Sequence, residues 1–374
     1  MKRFADVMKI SCDYDRVLFV TFLTLLGIGA VMIYNSSAIY ADYRFGNSML
    51  FIRNHLVYLM IGAVVFTIVS QIRYETYARF APMILLACLG LVVLTMVPLI
   101  SIKSGGARRW LNFGFVTFQP AECLKLSLVM YVSYLLSKKD EQKLRSFMRG
   151  VLPILLVSFI SMSILLLQPD FGSVLTIFFL IMIMLLAGGA RVLHILAVIF
   201  SIIPVGVMLV VASPYRMKRI LSFLNPWDDA LDSGFQIIQS FIGFYNGGIF
   251  GRGIGMSKQK LLFLPDAHTD FIFSVIGEEV GFIGGVFVVL LFGLFIYKGI
   301  SIAKKTTNEF GSLLAFGITM MIGIQAAMNF CVVTGLVPTK GLPLPFISYG
   351  GTSLIVNMAA VGILFNIARR GNQA

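Results

Sequence analysis

The sequence predicts an all-α polytopic membrane protein of about ten transmembrane helices, with one large extracytoplasmic loop between spans seven and eight. Hydrophobic residues make up 58% of the 374 residues and charged residues only 13%, whereas soluble domains are charged at about a quarter of their positions. The apolar residues also fall in long runs, such as the uncharged residues 280–297, close to the ~20 residues that a helix needs to cross a bilayer. A soluble core would not need so many such runs in succession.

Ten runs qualify as spans and form a single membrane domain over residues 1–374. They are residues 17–36, 52–72, 80–100, 119–137, 149–168, 171–188, 192–212, 276–298, 311–334 and 351–368. The first run is too long for the apolar region of a signal peptide, so we count it as a span.

The distribution of Lys and Arg predicts the orientation. With the N-terminus in the cytoplasm, most basic residues fall in cytoplasmic segments, as the positive-inside rule requires. An even number of spans then places the C-terminus in the cytoplasm as well. The basic residues cluster between spans, so membrane orientation explains the net charge of +13 better than nucleic-acid binding does. Binding to anionic lipid head groups is a second, weaker explanation.

The extracytoplasmic loop, about residues 213–275, contains the glycine-rich stretch NGGIFGRGIG (residues 246–255). No strand–helix unit surrounds this stretch and no Gly-Lys-Ser/Thr sequence ends it, so a dinucleotide or Walker site is not expected. We expect a flexible loop at the membrane surface.

Charges at membrane depth are the first candidates for function, because each costs roughly 2.5–3.5 kcal/mol on insertion scales. Glu122 and Lys125 open the fourth span and lie three residues apart, which places them on one helical face where they can pair. The pair either neutralises itself or lines a polar cavity between helices.

Two external turns add further candidates. Asp170 in QPDFG (residues 168–172) either caps the helix that follows or lies at the mouth of a cavity. Arg108 and Arg109 precede Trp110. They suit an anionic head group, since guanidinium binds phosphate oxygens in pairs, or they anchor the chain at the interface.

A third external candidate is the segment VPTKGLPLPFISYGG (residues 337–351), whose prolines and glycines preclude an ordinary helix. Irregular backbone at membrane depth is tolerated where it is buried in protein or lines a cavity. Lys340 is the only charge in this segment. The predicted topology brings it to the same side of the membrane as Arg109, Asp170 and Asp270.

The stretch LPDAHTDFIFSVIGEE (residues 264–279) carries four carboxylates just before a long uncharged run. If a helix begins near Thr269, Asp270 and Ser274 share a face, and Asp270 is best placed to face a polar pocket at the interface. A partly desolvated carboxylate there could act as a general base.

The other three acids of this stretch have structural interpretations. Glu278 and Glu279 point away from Asp270, by about 80° and 180° on a helix, and are expected to tie the span to neighbouring loops or helices. Asp266 is expected to be solvated.

These motifs, together with QPAECLK, NPW and PLPFISYGG in this order on ten predicted spans, resemble the SEDS family of bacterial peptidoglycan glycosyltransferases. The resemblance implies that lipid II is polymerised at the outer face of the cytoplasmic membrane. The family's essential external-loop aspartate corresponds to Asp270, its polar pair to Glu122 and Lys125, and its QPD aspartate to Asp170. The run Pro338–Gly341 is more similar to the division-type members than to the elongation-type members.

The implied chemistry is the attack of an acceptor sugar's 4-hydroxyl on C1 of the donor, with loss of undecaprenyl pyrophosphate. Asp270 is the predicted catalytic base. The residues predicted to bind substrate are Arg108, Arg109, Glu122, Lys125, Asp170, His268, Lys340 and Ser348. The resemblance implies no definite cofactor. A divalent cation (Mg²⁺ or Mn²⁺) could supply positive charge for the leaving group in place of the basic side chains.

The implied partners are a class B penicillin-binding protein, which is the transpeptidase, and other divisome proteins at the septum. Two other classes of function fit the same composition. A lipid II flippase also needs membrane charges and broken helices, but it needs access from both faces, whereas these charges gather towards one. A non-catalytic scaffold for the division machinery is the third alternative.

Overall fold

The structure is a computed structural model that describes residues 15–104, 107–112, 117–230, 232, 234–265, 267–338 and 341–371. In these residues the chain forms a helical bundle with one small sheet. The longer helices are α1 (Arg16–Phe45), α2 (Leu50–Gln71), α3 (Tyr74–Leu94), α4 (Pro120–Ser137), α5 (Leu152–Leu167), α6 (Phe171–Ala187), α7 (Val192–Val211), α8 (Pro214–Leu224), α9 (Phe235–Gly247), α10 (Ile272–Lys305), α11 (Glu309–Val333) and α12 (Gly351–Arg370). A single helical turn, Glu141–Leu144, follows α4.

Every predicted span coincides with a helix, and the multi-pass character of the chain is confirmed. In the described part of the chain, seven helices are long and apolar enough to cross a bilayer: α1, α2, α3, α10, α11, α12, and α5 together with the π turn Phe147–Val151 that precedes it. The helices α4, α6 and α7 are 18, 17 and 20 residues long. The count of ten spans therefore stays a prediction.

Local sequence sets the helix ends. Asp15 caps α1, since its carboxylate accepts hydrogen bonds from the main-chain nitrogens of Val17 and Leu18. Pro120 begins α4, where its missing N–H costs nothing. Asn308 caps α11 by accepting from Gly311 N at 3.1 Å. These side chains satisfy donors that a helix leaves unpaired in its first turn.

The helix α11 is the centre of the bundle and packs against α4, α6, α10 and α12, while α12 lies along α2. Close packing matters here because lipid supplies little hydrophobic drive for helix association. Gly317 shows the fit: a Cβ added there would lie 2.7 Å from the Val129 side chain and 2.8 Å from that of Met184. At this contact a residue as small as glycine lets α11 approach α4 and α6 closely.

A three-stranded antiparallel sheet, which the sequence analysis did not predict, lies between α3 and α4. Its strands are β1 (Ser101–Ser104), β2 (Ala107–Asn112) and β3 (Thr117–Phe118), in the order β1-β2-β3. The sheet is too small to change the all-α class. It does give Arg108 and Arg109 fixed places on β2.

The large segment between α7 and α10, which is predicted to be external, is partly helical. It contains α8, a 3-10 turn at Pro226–Asp229, α9 and a π turn at Gln259–Phe263. The helix that follows begins at Ile272 rather than near Thr269, so the predicted helical face shared by Asp270 and Ser274 does not form. Instead, Ser274 donates from its hydroxyl to Ser240 O of α9 at 3.1 Å.

The helix α10 is interrupted at Gly281, which has φ +74°. The glycine-rich stretch lies against this break. Phe282 N donates to Gly248 O at 2.9 Å, and Ile283 N donates to Ile249 O at 3.2 Å. In the opposite direction, Arg252 and Gly253 donate from their main-chain nitrogens to the carbonyls of Glu278 and Glu279, at 3.0 and 2.9 Å.

The expectation of a flexible loop for NGGIFGRGIG is therefore wrong. A broken helix near the membrane must have its freed backbone groups satisfied by protein, and this stretch supplies the partners. Glycine is required because the two backbones approach closely: a Cβ on Gly251 would lie 2.2 Å from Glu279 O.

We expect Gly251→Ala to destabilise the protein strongly. Gly251 has φ +80°, and the added methyl group would overlap the Glu279 carbonyl. The left-handed conformation alone costs an alanine roughly 1–2 kcal/mol. Gly255→Ala is the matched control, because Gly255 has φ +89° but open space around it. Thermal unfolding in one detergent should show a clearly larger loss for Gly251→Ala, and equal losses would contradict the close-approach argument.

Candidate active site

Asp270, the predicted catalytic base, lies in the turn just before α10 and is half-buried. Its main-chain carbonyl accepts a hydrogen bond from Asn329 Nδ2 on α11 at 2.8 Å. Its carboxylate faces the proline-rich segment: a Cβ added to Gly341 would lie 3.1 Å from Asp270 Oδ2. The carboxylate is thus held beside irregular backbone, with part of its surface accessible to a ligand.

Glu122 and Lys125 form the predicted ion pair, with Lys125 Nζ 2.8 Å from Glu122 Oε1. The two side chains are 4% and 1% exposed. Lys125 Nζ also donates to Gln325 Oε1 on α11 at 3.2 Å. The pairing is confirmed, and burial closes the pair off from solvent, so a direct contact with substrate stays a prediction.

Two amides on α11, Gln325 and Asn329, are 0% and 1% exposed and were not among the site residues predicted from the sequence. Gln325 Nε2 donates to Pro343 O at 3.2 Å, and Asn329 Nδ2 donates to Leu342 O at 2.8 Å. The signal was available, because two polar residues four apart in an apolar span are unusual at membrane depth.

Asp170 caps α6, which confirms its structural interpretation. Its carboxylate accepts from Ser173 N at 3.3 Å and from Ser173 Oγ at 2.8 Å, and the residue is 5% exposed. The turn that carries Asp170 also borders the proline-rich segment, because a Cβ on Gly172 would lie 3.3 Å from the Leu342 side chain. A place at a cavity mouth stays a prediction.

Arg109 binds the same turn. Its Nε donates to Gln168 O at 3.2 Å, and its Nη2 makes a hydrogen bond to Pro169 O. Gln168 in turn donates from Nε2 to Val92 O at 2.7 Å at the end of α3. The guanidinium of Arg109 is therefore fixed beside the turn that carries Asp170.

Arg108 differs from its neighbour. It is half-buried on β2, paired with Lys103 across the sheet, and its guanidinium makes no hydrogen bond to another described residue. It is accordingly better placed than Arg109 to meet an anion.

His268 is packed in an aromatic cluster with Tyr40, Phe51 and Tyr349. The ring centroids lie 5.6, 4.6 and 5.9 Å from that of His268, which is 8% exposed. The main chain adds a bond from Tyr349 N to His268 O at 2.9 Å. Burial raises the pKa of the Tyr349 phenol. His268 therefore anchors the turn that carries Asp270, and its contact with substrate stays a prediction.

Ser348 is also turned inward. Its Oγ accepts from Leu344 N at 2.9 Å, and the residue is 4% exposed. It stabilises the fold of the proline-rich segment. Lys340 and Asp266, for which the sequence also makes predictions, lie outside the described residues.

Glu278 and Glu279 anchor the external loop, as predicted. Glu278 accepts from Lys258 N and Gln259 N, both at 3.2 Å, and from the hydroxyl of Ser257. Glu279 pairs with Lys260 Nζ at 3.2 Å.

This anchor extends to the first span. The Asn35 side chain on α1 hydrogen-bonds Glu279 through Nδ2 and accepts from Lys260 Nζ at 2.6 Å. The π turn that precedes Asp270 is thereby fixed to α1 and α10.

Within the described residues, no three His, Cys, Asp or Glu side chains come together as a metal site. A divalent cation bound here would need oxygen ligands from a substrate or from main-chain carbonyls as well. The cation stays a prediction.

Comparisons with known proteins agree with this architecture. The family model FTSW_RODA_SPOVE, described as cell cycle protein, matches residues 15–373. The chain is 44% identical over 357 residues to a probable peptidoglycan glycosyltransferase FtsW of Geobacter metallireducens, covering 96% of this chain and 95% of the relative. It is 40% identical over 355 residues to the stage V sporulation protein E of Bacillus subtilis, covering 95% and 97% of the two chains.

Two solved structures share the fold. A chain from a peptidoglycan synthase complex, described as coordinating polymerisation and crosslinking, superposes with a TM-score of 0.80 at 28% identity, covering 96% of this chain and 99% of that one. The rod shape determining protein RodA of Thermus thermophilus superposes with a TM-score of 0.71 at 26% identity, covering 96% and 98%.

Proposed function

The chain belongs to the FtsW/RodA/SpoVE family of cell cycle proteins, and we propose that it polymerises peptidoglycan glycan strands from lipid II during cell division. The relatives named probable peptidoglycan glycosyltransferase FtsW, to which it is 44% identical, support a glycosyltransferase of the division type. The observation that carries the proposed mechanism is the half-buried carboxylate of Asp270, which faces the proline-rich segment while Asn329 holds the main-chain carbonyl of the same residue.

In the proposed reaction, the acceptor sugar's 4-hydroxyl transfers its proton to the Asp270 carboxylate as its oxygen attacks C1 of the donor. The bond from C1 to the pyrophosphate oxygen breaks, and undecaprenyl pyrophosphate leaves with the bonding electron pair. A β-1,4 linkage forms. A carboxylate suits this role because a positioned base speeds proton transfer from a hydroxyl.

The leaving pyrophosphate needs positive charge near it. The sheet places Arg108 and Arg109 on one short strand, on the external side of the predicted topology. Arg109 lies beside the turn of Asp170, and the proline-rich segment borders both that turn and Asp270. We therefore propose that Arg108 and Arg109 receive the pyrophosphate beside the turn of Asp170, which the proline-rich segment connects to the proposed base. Lys340 is a further proposed cation.

The polyprenyl tail needs an apolar path. A groove of about 210 Å³ lies between α5, α6 and α7. Its lining includes Leu155, Phe159, Met162, Phe178 and Ile202, with Ser158 as the only polar side chain. An apolar surface of this kind between helices suits the first isoprene units of the substrate.

The cellular setting follows from the family. We propose a multi-pass protein of the bacterial cytoplasmic membrane with both termini in the cytoplasm, acting at the septum. Its proposed partners are a class B penicillin-binding protein and other divisome proteins. The structural relative from a complex that coordinates polymerisation with crosslinking supports such a transpeptidase partner.

The test uses the full chain in lipid vesicles with labelled lipid II, alone and with a class B penicillin-binding protein. We expect glycan polymer that lysozyme digests. Movement of labelled lipid II between leaflets without any polymer would instead support a flippase. A fluorescent fusion should gather at the septum, and sidewall localisation would favour the elongation role.

A further inference from the structure

The two amides on α11, Gln325 and Asn329, connect the parts of the candidate active site that the sequence separates. They lie four residues apart and so share one helical face. Both are fully buried. Neither carries a charge, so their contribution must come from hydrogen-bond geometry.

Asn329 bridges two pieces of irregular backbone. Its Nδ2 donates to Asp270 O and to Leu342 O, each at 2.8 Å. A carboxamide nitrogen has two hydrogens, so it can serve both carbonyls at once. The bridge joins the turn that carries Asp270 to the proline-rich segment through the main-chain carbonyl of residue 270.

Gln325 makes the equivalent connection one turn away. Its Nε2 donates to Pro343 O at 3.2 Å, and its Oε1 accepts from Lys125 Nζ at 3.2 Å. The buried ion pair of Glu122 and Lys125 is thereby linked, through Gln325, to the same segment that Asn329 holds against Asp270.

We propose that Asn329 is a positioning residue for Asp270 and that Gln325 couples the Glu122–Lys125 pair to the same segment. The inference rests on the proposed function, because it concerns the base of that reaction. Asn329 fixes the main chain at Asp270 and so sets where the carboxylate stands relative to Gly341–Leu342. Without the Asn329 bridge, the turn of Asp270 and the proline-rich segment can separate. Misplacement of a reacting group by about 1 Å can lower the rate about 10²-fold.

The experiment compares Asn329→Leu with Thr334→Val, a control at the exposed residue that follows α11, whose hydroxyl bonds Phe330 O and Cys331 O in the last turn of that helix. We expect Asn329→Leu to lower kcat at least about tenfold with KM for lipid II within about twofold, because the base is misplaced while binding is retained. Thr334→Val should keep wild-type kcat and KM. Asn329→Ser, which keeps one donor and folds more readily, should give an intermediate kcat.

A double-mutant cycle tests the coupling. The double variant Gln325→Leu/Asn329→Leu should lower kcat by a smaller factor than the product of the two single-variant factors, since both side chains hold one segment. The positioning role is wrong if Asn329→Leu and Asn329→Ser keep kcat within twofold of wild type. It is also wrong if KM alone changes, which would make Asn329 a binding residue. Absence of polymer from the wild-type protein would contradict the proposed function instead.

Discussion

We expect Asp270→Asn to abolish glycan polymerisation while the protein remains folded. The amide has nearly the same size as the carboxylate but cannot accept the proton of the attacking hydroxyl. Loss of a general base typically costs about 10²–10⁴ in rate. The fold should persist because Asn329 binds the main-chain carbonyl of residue 270, which the substitution leaves in place.

The measurement is the polymer formed from lipid II by purified protein, together with the elution volume on size exclusion. Asp232→Asn is the matched control. It removes a carboxylate from the same external segment, but that carboxylate is 75% exposed and pairs with Lys218 at the surface. Full polymerisation by Asp270→Asn would remove Asp270 from the mechanism.

The second large effect is expected from Lys125→Met. Lys125 is the only cation that the described residues place against the buried Glu122 carboxylate, and it also donates to Gln325. Removing one partner of a buried pair leaves an uncompensated charge and costs about 3–5 kcal/mol. We therefore expect a sharp fall in the thermal unfolding temperature and in the yield of folded protein.

The control for this prediction is Lys143→Met. Lys143 and Asp140 form another pair three residues apart at 2.9 Å, but their side chains are 55% and 77% exposed, and such pairs contribute little. The double variant Glu122→Gln with Lys125→Met should recover part of the lost stability, because no buried charge then remains unpaired. If Lys125→Met unfolds at the same temperature as Lys143→Met, the buried pair does not stabilise the fold.

Most of the predictions that the structure confirms came from sequence patterns within a single segment of the chain. The apolar runs located every long helix, and the spacing of Glu122 and Lys125 predicted their pairing. The position of Asp170 before a helix predicted its capping bond to Ser173. Each of these depends on residues a few positions apart, for which helical geometry gives the answer directly.

Expectations failed where the outcome depended on distant residues. The glycine-rich stretch has turn-like composition, but the break at Gly281 in another element gives it backbone partners, so it docks instead of moving freely. The packing of His268 also depends on distant residues, because Tyr40 and Phe51 lie against its ring, and its contact with substrate stays a prediction.

The sequence by itself determined the membrane class, the helices, the family resemblance and the choice of Asp270. Tertiary structure alone decided that Asn329 holds the turn of Asp270, that Lys125 reaches Gln325, and that Glu279 joins Asn35. The physical reason is that buried polar groups must find partners wherever the packed helices bring them together, and no periodicity along the chain encodes which partner that will be.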